Sequence, residues 1–377
     1  MSSHAYRGDR AYRLCVRCIM DTSDPDIVFD AEGVCNHCHR FDQIAAKRLI
    51  PLAERPGRLT ALVDSIKRNG CGREYDCVIG VSGGVDSTYV AWLTRELGLR
   101  PLAVHFDNGW NSELAVANIE KALKNLNIDL LTYVVDWPEF RDLQLSFLRA
   151  STPDGEVPTD HAIVALLYQT AIKHHIRHIL LGVNVNSEAI MPVKWGYGYS
   201  DYRYISAVHR QFGKLPLKTF PRYTLPQLFS YMFVRKLEVV PILDYVDYQK
   251  RDAMQTIEKS LGWMYYGGKH YESIYTRFFQ SYVLPRKFNI DKRRAHLANL
   301  VLAGQMSRDD ALNAMNEPVY HDRGLKDDLT YAIKKLGLNE SEFHAIMALP
   351  TKTFFDYPNS YSRIEVAKSV LLRLRGR

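Results

Sequence analysis

The chain has 377 residues, 46% of them hydrophobic, and a formal net charge of +7. Such a length and apolar content can bury a substantial core and predict one large domain with one or two smaller modules. No apolar run reaches the roughly 18 residues of a membrane helix, residues 1–13 carry no apolar leader, and the basic residues are spread, which sets aside a spanning protein and points to the cytoplasm without choosing between anionic small substrates and nucleic acid.

In chain order, the first signal is cysteine. All six cysteines lie within the first 77 residues, a distribution unlike a disulfide framework. Cys15-x-x-Cys18 and Cys35-x-x-Cys38 are separated by sixteen residues, the spacing of a four-thiolate zinc site. An iron-sulfur cluster or unliganded thiols are the alternatives. Four thiolates would leave zinc no open position, so the metal is assigned to folding. His37 and His39 are read as bystanders, and Cys71 and Cys77 as buried apolar residues. The opening segment, with turn signals at Asp24-Pro25-Asp26 and Glu32-Gly33, is a loop-rich module.

Helical spacing over Leu59–Asn69 gives way to an apolar strand, Tyr75–Val81, and then to the loop Ser82-Gly83-Gly84-Val85-Asp86-Ser87-Thr88. A helix over Thr88–Leu97 ends at Gly98, and Pro101–Phe106 reads as a second strand. Helix Glu113–Leu126 before strand Leu130–Val135, and helix His161–His174 before strand His178–Val183, repeat the unit. The fold class is therefore α/β, a parallel sheet with helices on both faces and a ligand crevice at the carboxyl ends of its strands. Beyond about Arg251 the pattern is helical, including Arg308–Met315 and Asp327–Leu336. The expected division is 1–58, a zinc module; 59–250, the sheet domain; and 251–377, a helical substrate region.

Glycines between a strand and a helix let the backbone approach a ligand, and the amides and dipole at the helix N-terminus favour an anion. Gly83 and Gly84 occupy that junction, Ser82, Ser87 and Thr88 add hydroxyls, and Asp86 can cap the helix or hold Mg²⁺. A plain glycine turn is the competing explanation. Ser-Gly-Gly-x-Asp-Ser after an apolar strand resembles the signature of the PP-loop ATP pyrophosphatases, which have a HUP-like fold, and it lacks the Lys of a Walker A loop. That resemblance implies ATP cleavage to AMP and pyrophosphate, with His105-Phe106-Asp107-Asn108-Gly109 beside the nucleotide. Asp107 reads equally well as a turn residue before Gly109. Gly182, Val183 and Asn184 should face the same crevice, with Asn186 and Glu188 nearby.

The chain has no cysteine after Cys77, so sulfur transfer has no evident carrier. Ammonia is the simpler nucleophile, yet no glutaminase motif is present, so a partner must supply it. The cysteine pairs with Met20-Asp21-Thr22, the loop, Pro158-Thr159-Asp160-His161, the run Gly267-Gly268-Lys269-His270-Tyr271-Glu272-Ser273 to Thr276-Arg277-Phe278, and Gln280-Ser281-Tyr282, Leu284-Pro285-Arg286-Lys287-Phe288, Asp291-Lys292-Arg293-Arg294 and Gly304–Arg308 resemble the N-acetyl sugar amidotransferases of surface-polysaccharide (LPS O-antigen) biosynthesis. The resemblance covers nearly the whole chain. It implies ATP, Mg²⁺, a UDP- or CMP-linked N-acetyl sugar whose acetamido group becomes an acetamidino group, and a glutaminase partner of the HisH type, perhaps with a HisF-like component. Lys269, His270, Glu272, Arg277, Lys292 and Arg293 become candidates for holding phosphates and sugar hydroxyls or moving protons, against the bland reading of solvated helix faces. The stretch Lys287–Arg294 is open to the same two readings. His174, His175 and His178 are read as surface residues. A tRNA-thiolating PP-loop enzyme is the second reading, and a zinc-module RNA-binding protein the third.

Overall fold

The computed structural model describes residues 11–196, 199–267, 271–319 and 322–366. Five strands, β1 (Cys77–Gly80), β2 (Pro101–Asp107), β3 (Asp129–Val134), β4 (His178–Leu181) and β5 (Glu238–Pro241), form one sheet in the order β3-β2-β1-β4-β5. Every pairing in it is parallel. Helices α1 (Asn36–Arg48) and α2 (Arg55–Asn69) precede it. Between strands lie α3 (Val85–Glu96), α4 (Glu113–Leu126), α5 (Trp137–Ala150), α6 (Val157–Lys173), α7 (Val185–Glu188), α8 (Tyr202–Phe212) and α9 (Leu225–Phe229). After it come α10 (Lys250–Leu261), α11 (Ile274–Phe278), α12 (Lys292–Leu302), α13 (Arg308–Asn316), α14 (Asp322–Leu336) and α15 (Glu340–Ala348).

The pleat sends alternate residues to opposite faces, and both faces are covered. Val78, with Leu102 and Ile179 in register beside it, enters a core shared with α5, α6 and α8. Ile79, beside Ala103 and Leu180, enters a second core with α2, α3 and α10. The chain order reverses between β1 and β4, so the crevice at their carboxyl ends is where such a sheet takes ligands.

The N-terminal module is stitched to the C-terminal helices. Arg308 donates to the carbonyls of Cys15 and Cys18, and Arg294 to that of Ile19 while pairing with Asp21 at 3.1 Å. Within the basic stretch Lys287–Arg294, Lys287, Arg293 and Arg294 are held by partners in the protein, while Lys292 faces Glu156. Lys287 donates to the carbonyls of Ile346, Met347 and Leu349 at the end of α15, and burial lowers its pKa to about 8. Arg293 grips Asp291 and the carbonyls of Ala314 and Glu317. Two expectations for single residues are corrected: Cys71 is exposed, and His178, inside β4, is fully buried. A solvent-exposed turn after α2 leaves Cys71 nothing to pack on, whereas His178 sits between two paired strands.

Candidate functional site

The loop after β1 turns sharply into α3. Gly83 has φ +81, and a Cβ there would stand 2.6 Å from the carbonyl oxygen of Ala115. The requirement for glycine is therefore double, from dihedral and from contact. Trp263 donates its indole N–H to the Gly83 carbonyl at 2.9 Å, fixing the peptide from the other side. Ser82 and Ser87 hydroxyls lie 3.1 Å apart, and the Gly84 amide donates to Ser82 Oγ at 3.3 Å. Asp86 accepts from the buried Tyr248 hydroxyl, whose pKa burial and then the Asp86 charge push up. Asp86 does not cap α3, whose N-cap is Gly84.

The first free amides of α3 are partly covered. The Val85 amide donates to Tyr266 Oη at 3.3 Å, and Ser82 Oγ donates to Glu272 Oε1 at 3.4 Å. A Cβ on Gly84 would be 3.1 Å from that same Glu272 oxygen. An acidic side chain thus stands at the mouth of the turn.

A cavity of about 550 Å³ opens from this loop. It falls in the range of small-molecule sites. Its floor is the carboxyl ends of β1, β2 and β4, through Gly80–Ser82, Val104–Phe106 and Leu181–Val183. Of the expected residues, Ser82, Gly84, Val85, Asp86, Ser87, His105, Phe106, Asn108, Gly182, Val183, Glu188, Glu272 and Lys292 line it. Gly83, within the loop, and Thr88, buried in α3, do not. Asp107 spends one carboxylate oxygen on the Gly109 amide and Asn111, as a turn residue does. Asn184 caps α7 through the Ser187 amide, Arg277 is engaged with Asp328 at 2.6 and 2.8 Å, and Arg293 is engaged as described; none of the three lines the cavity. Lys269 and His270 lie outside the described residues. Gly182 has its own packing reason, since a Cβ there would be 3.0 Å from the Asp86 carbonyl carbon.

The far wall is acidic and was not assigned from sequence. Asp160, at the start of α6, lines the cavity and is exposed there. The protein packed around its carboxyl, with the charges of Glu156 and Asp154, raises its pKa, against the pull of Lys292. Glu156 accepts from Gln280 at 3.0 Å and faces Lys292 at 3.7 Å. Tyr199, Lys250, Tyr265, Tyr266, Gln280 and His296 complete the lining. Asp160 stood in a noticed motif, Pro158–His161, and Gln280 in another, Gln280-Ser281-Tyr282; the others carry no local signal.

His161, the next residue along α6, is fully buried, donates to the Tyr199 carbonyl (2.6 Å) through Nδ1 and accepts the Tyr223 amide at Nε2 (3.3 Å). It stacks on Tyr223 at 4.4 Å. An acceptor Nε2 makes Nδ1 the protonated nitrogen, and the ring must be neutral. Burial lowers its pKa to about 4. A folded pKa below the ordinary 6.5 means that the neutral ring's contribution is complete above pH 6.5 and lost as pH falls towards 4. The shift corresponds to roughly 3 kcal/mol at the acid end. The expected result is that the stability difference between wild type and His161→Gln, followed by urea unfolding, shrinks over that window; parallel pH profiles would refute the assignment.

The four cysteines form a separate centre. All are fully buried, and their sulfurs lie 3.6 Å (Cys18–Cys35, Cys35–Cys38) and 3.7 Å (Cys15–Cys38) apart. Sulfurs bound tetrahedrally to zinc at ~2.3 Å stand about 3.8 Å apart, so the residues fit the ion. The Arg17, Cys18 and Cys35 amides point at Cys15 Sγ and the Met20 amide at Cys18 Sγ, at 3.3–3.5 Å, as thiolates require. His37 pairs instead with Asp24 at 2.6 Å, and His39 with Asp30 at 2.8 Å.

A search of the curated proteins finds no match. Among solved structures the chain is similar to the NMN synthetase from Francisella tularensis, with 14% identity, a TM-score of 0.27, and coverage of 57% of this chain and 98% of that one. A TM-score that low carries no functional argument. Residues 272–370 match the family model described as "LPS biosynthesis protein WbpG-like, C-terminal domain". The matched stretch begins at Glu272, the residue at the mouth of the loop, so the part of the chain similar to WbpG-like LPS biosynthesis proteins supplies one wall of the cavity.

Proposed function

We propose that this protein is an ATP-dependent, AMP- and pyrophosphate-forming amidotransferase that converts the acetamido group of a nucleotide-linked N-acetyl sugar into an acetamidino group in LPS biosynthesis. The observation that carries the reading is a single cavity bounded on one side by Ser82, Gly84, Val85 and Ser87 and on the other by Glu272, Ser273, Thr276, Gln280, Lys292 and His296, which belong to the WbpG-like stretch. In this reading the amides and hydroxyls of the loop bind the polyphosphate, and Phe106 and Gly182 border the nucleoside. Asp86 and Glu272 are the hard oxygen donors that would hold Mg²⁺, which neutralises polyphosphate charge when bound.

The amide oxygen of the sugar attacks the α-phosphorus, pyrophosphate leaves, and an O-adenylyl imidate results. Ammonia adds to the imidate carbon, the carbon–oxygen bond breaks, AMP departs, and the amidine keeps a positive charge. An acidic wall of Glu156, Asp160 and Glu188 suits that product, and Asp160, which lines the cavity, is the candidate to move a proton there. The chain has no evident glutaminase motif, so ammonia comes from a partner, which the resemblance to N-acetyl sugar amidotransferases makes a glutaminase of the HisH type. The lack of a cysteine after Cys77 weighs against the thiolating alternative.

The test is incubation of the purified protein with ATP, Mg²⁺, ammonium and UDP- or CMP-linked N-acetyl sugars. AMP formation that requires the sugar, with a product about one mass unit lighter, supports the proposal; AMP formation that requires tRNA instead overturns it. Within that assay, Asp160→Asn should lower kcat by roughly 100-fold with little change in the KM for ATP, the usual size of a general acid–base contribution. Unchanged kcat would remove Asp160 from the proton path.

A further inference from the structure

Ten residues ahead of β5 form an outward-facing apolar ridge. Helix α9 runs into a π-helical turn, Ser230–Val234, and the inner side chains Leu228 and Tyr231 pack on the core, Tyr231 against Tyr168 at 5.5 Å. The outer ones do not. Phe229 is 60% exposed, Met232 46%, Phe233 42% and Val234 69%, and the Phe229 and Phe233 rings lie 4.5 Å apart. Water against four contiguous large apolar groups is costly, and such a patch on a soluble surface marks a contact site.

Along the chain the ridge is flanked by charge of one sign. From residue 222 to 237 there is no Asp or Glu, while Arg222, Arg235 and Lys236 are all exposed. The first acid, Glu238, sits in β5 and faces His178 at 3.7 Å. We propose that this ridge docks on an anionic lipid surface, its Phe, Met and Val side chains entering the headgroup boundary while Arg222, Arg235 and Lys236 meet lipid phosphates. Large apolar residues flanked by cations without acids are the composition of an interfacial segment. A second copy of the chain suits the ridge less well, since a two-fold contact would bring three cations of each patch together with no carboxylate between them.

Position agrees with this assignment. The Leu237 amide donates to the Tyr231 carbonyl, which sets the ridge at the amino end of β5. The cavity opens at the carboxyl ends of β1, β2 and β4, and the sheet is parallel throughout, so the ridge and the cavity lie at opposite ends of the strands. Docking therefore leaves the cavity accessible.

The experiment is flotation of the full chain with phosphatidylcholine vesicles, with and without phosphatidylglycerol. The wild type is expected to float with the phosphatidylglycerol vesicles only and to be released by high salt. Phe229→Ser/Phe233→Ser should weaken that binding by roughly tenfold or more, since interfacial binding scales with the apolar area inserted. Circular dichroism and metal content identical to wild type guard against misfolding. Arg235→Gln/Lys236→Gln, which spares the apolar side chains, should weaken it as well. Absence of binding to anionic vesicles, binding indifferent to both double variants, or a concentration-dependent dimer abolished by the Phe pair would each overturn the proposal.

Discussion

Gly83→Ala is expected to reduce ATP-dependent AMP formation at least about 100-fold, the penalty for misplacing reacting groups by an ångström. An alanine at φ +81 would carry the left-handed penalty of roughly 1–2 kcal/mol, and its Cβ would meet the Ala115 carbonyl at 2.6 Å. Relief requires that the loop move away from the first turn of α4, which shifts the amides of Gly84 and Val85 and the Trp263 contact together. Gly72→Ala is the control. Gly72 also has positive φ, +73, but a Cβ there meets nothing within 4 Å, so it pays the backbone penalty without disturbing the loop. Pyrophosphate release measured for the two variants, beside their unfolding curves, separates the two effects. Equal activity in both would take the loop out of the reaction.

Cys35→Ser should abolish stoichiometric metal binding and cost at least about 4 kcal/mol, the magnitude associated with losing a structural metal. Cys35 Sγ lies 3.6 Å from two of the other three sulfurs, so its loss opens the tetrahedron. The damage should travel. The carbonyls of Cys15, Cys18 and Ile19 receive Arg308 and Arg294 from α13 and α12, and Lys292, at the start of α12, lines the cavity. Metal analysis and thermal unfolding give the readout, with a fall in melting temperature of about 10 °C or more expected. Loss of metal without destabilisation would mean that the arginine tethers alone hold the module.

Much of the sheet domain was legible because its signals are local. The helix Glu113–Leu126 has the bounds expected of it, and β1 to β4 fall within or beside the expected strands, since buried parallel strands read as short apolar runs between turn residues. Helix α5 was missed for a physical reason. Its polar Glu139, Asp142 and Gln144 are buried by partners distant in the chain; Glu139 receives the amides of Lys218, Thr219 and Phe220, and Asp142 those of Lys214 and Leu215, from a segment some 70 to 80 residues away. Edge strand β5 has four residues, one of them proline, too few to show a period.

The candidate site divides along the same line. Two Cys-x-x-Cys pairs and Ser-Gly-Gly-Val-Asp-Ser announce themselves because a thiolate knuckle or a helix N-terminal turn is built from residues adjacent in the chain and needs those residue types at that spacing. The fates of the charged residues after position 250 were not settled there. Arg277 and Arg293 carry the same charge as Lys292, yet Asp328 and Asp291 engage the first two as braces while Lys292 reaches the cavity beside Glu156 and Asp160. Whether a charge becomes a brace or a wall of the site depends on which partner the packing of distant helices brings within 3 or 4 Å, and that proximity is a property of the folded chain, not of any stretch of its sequence.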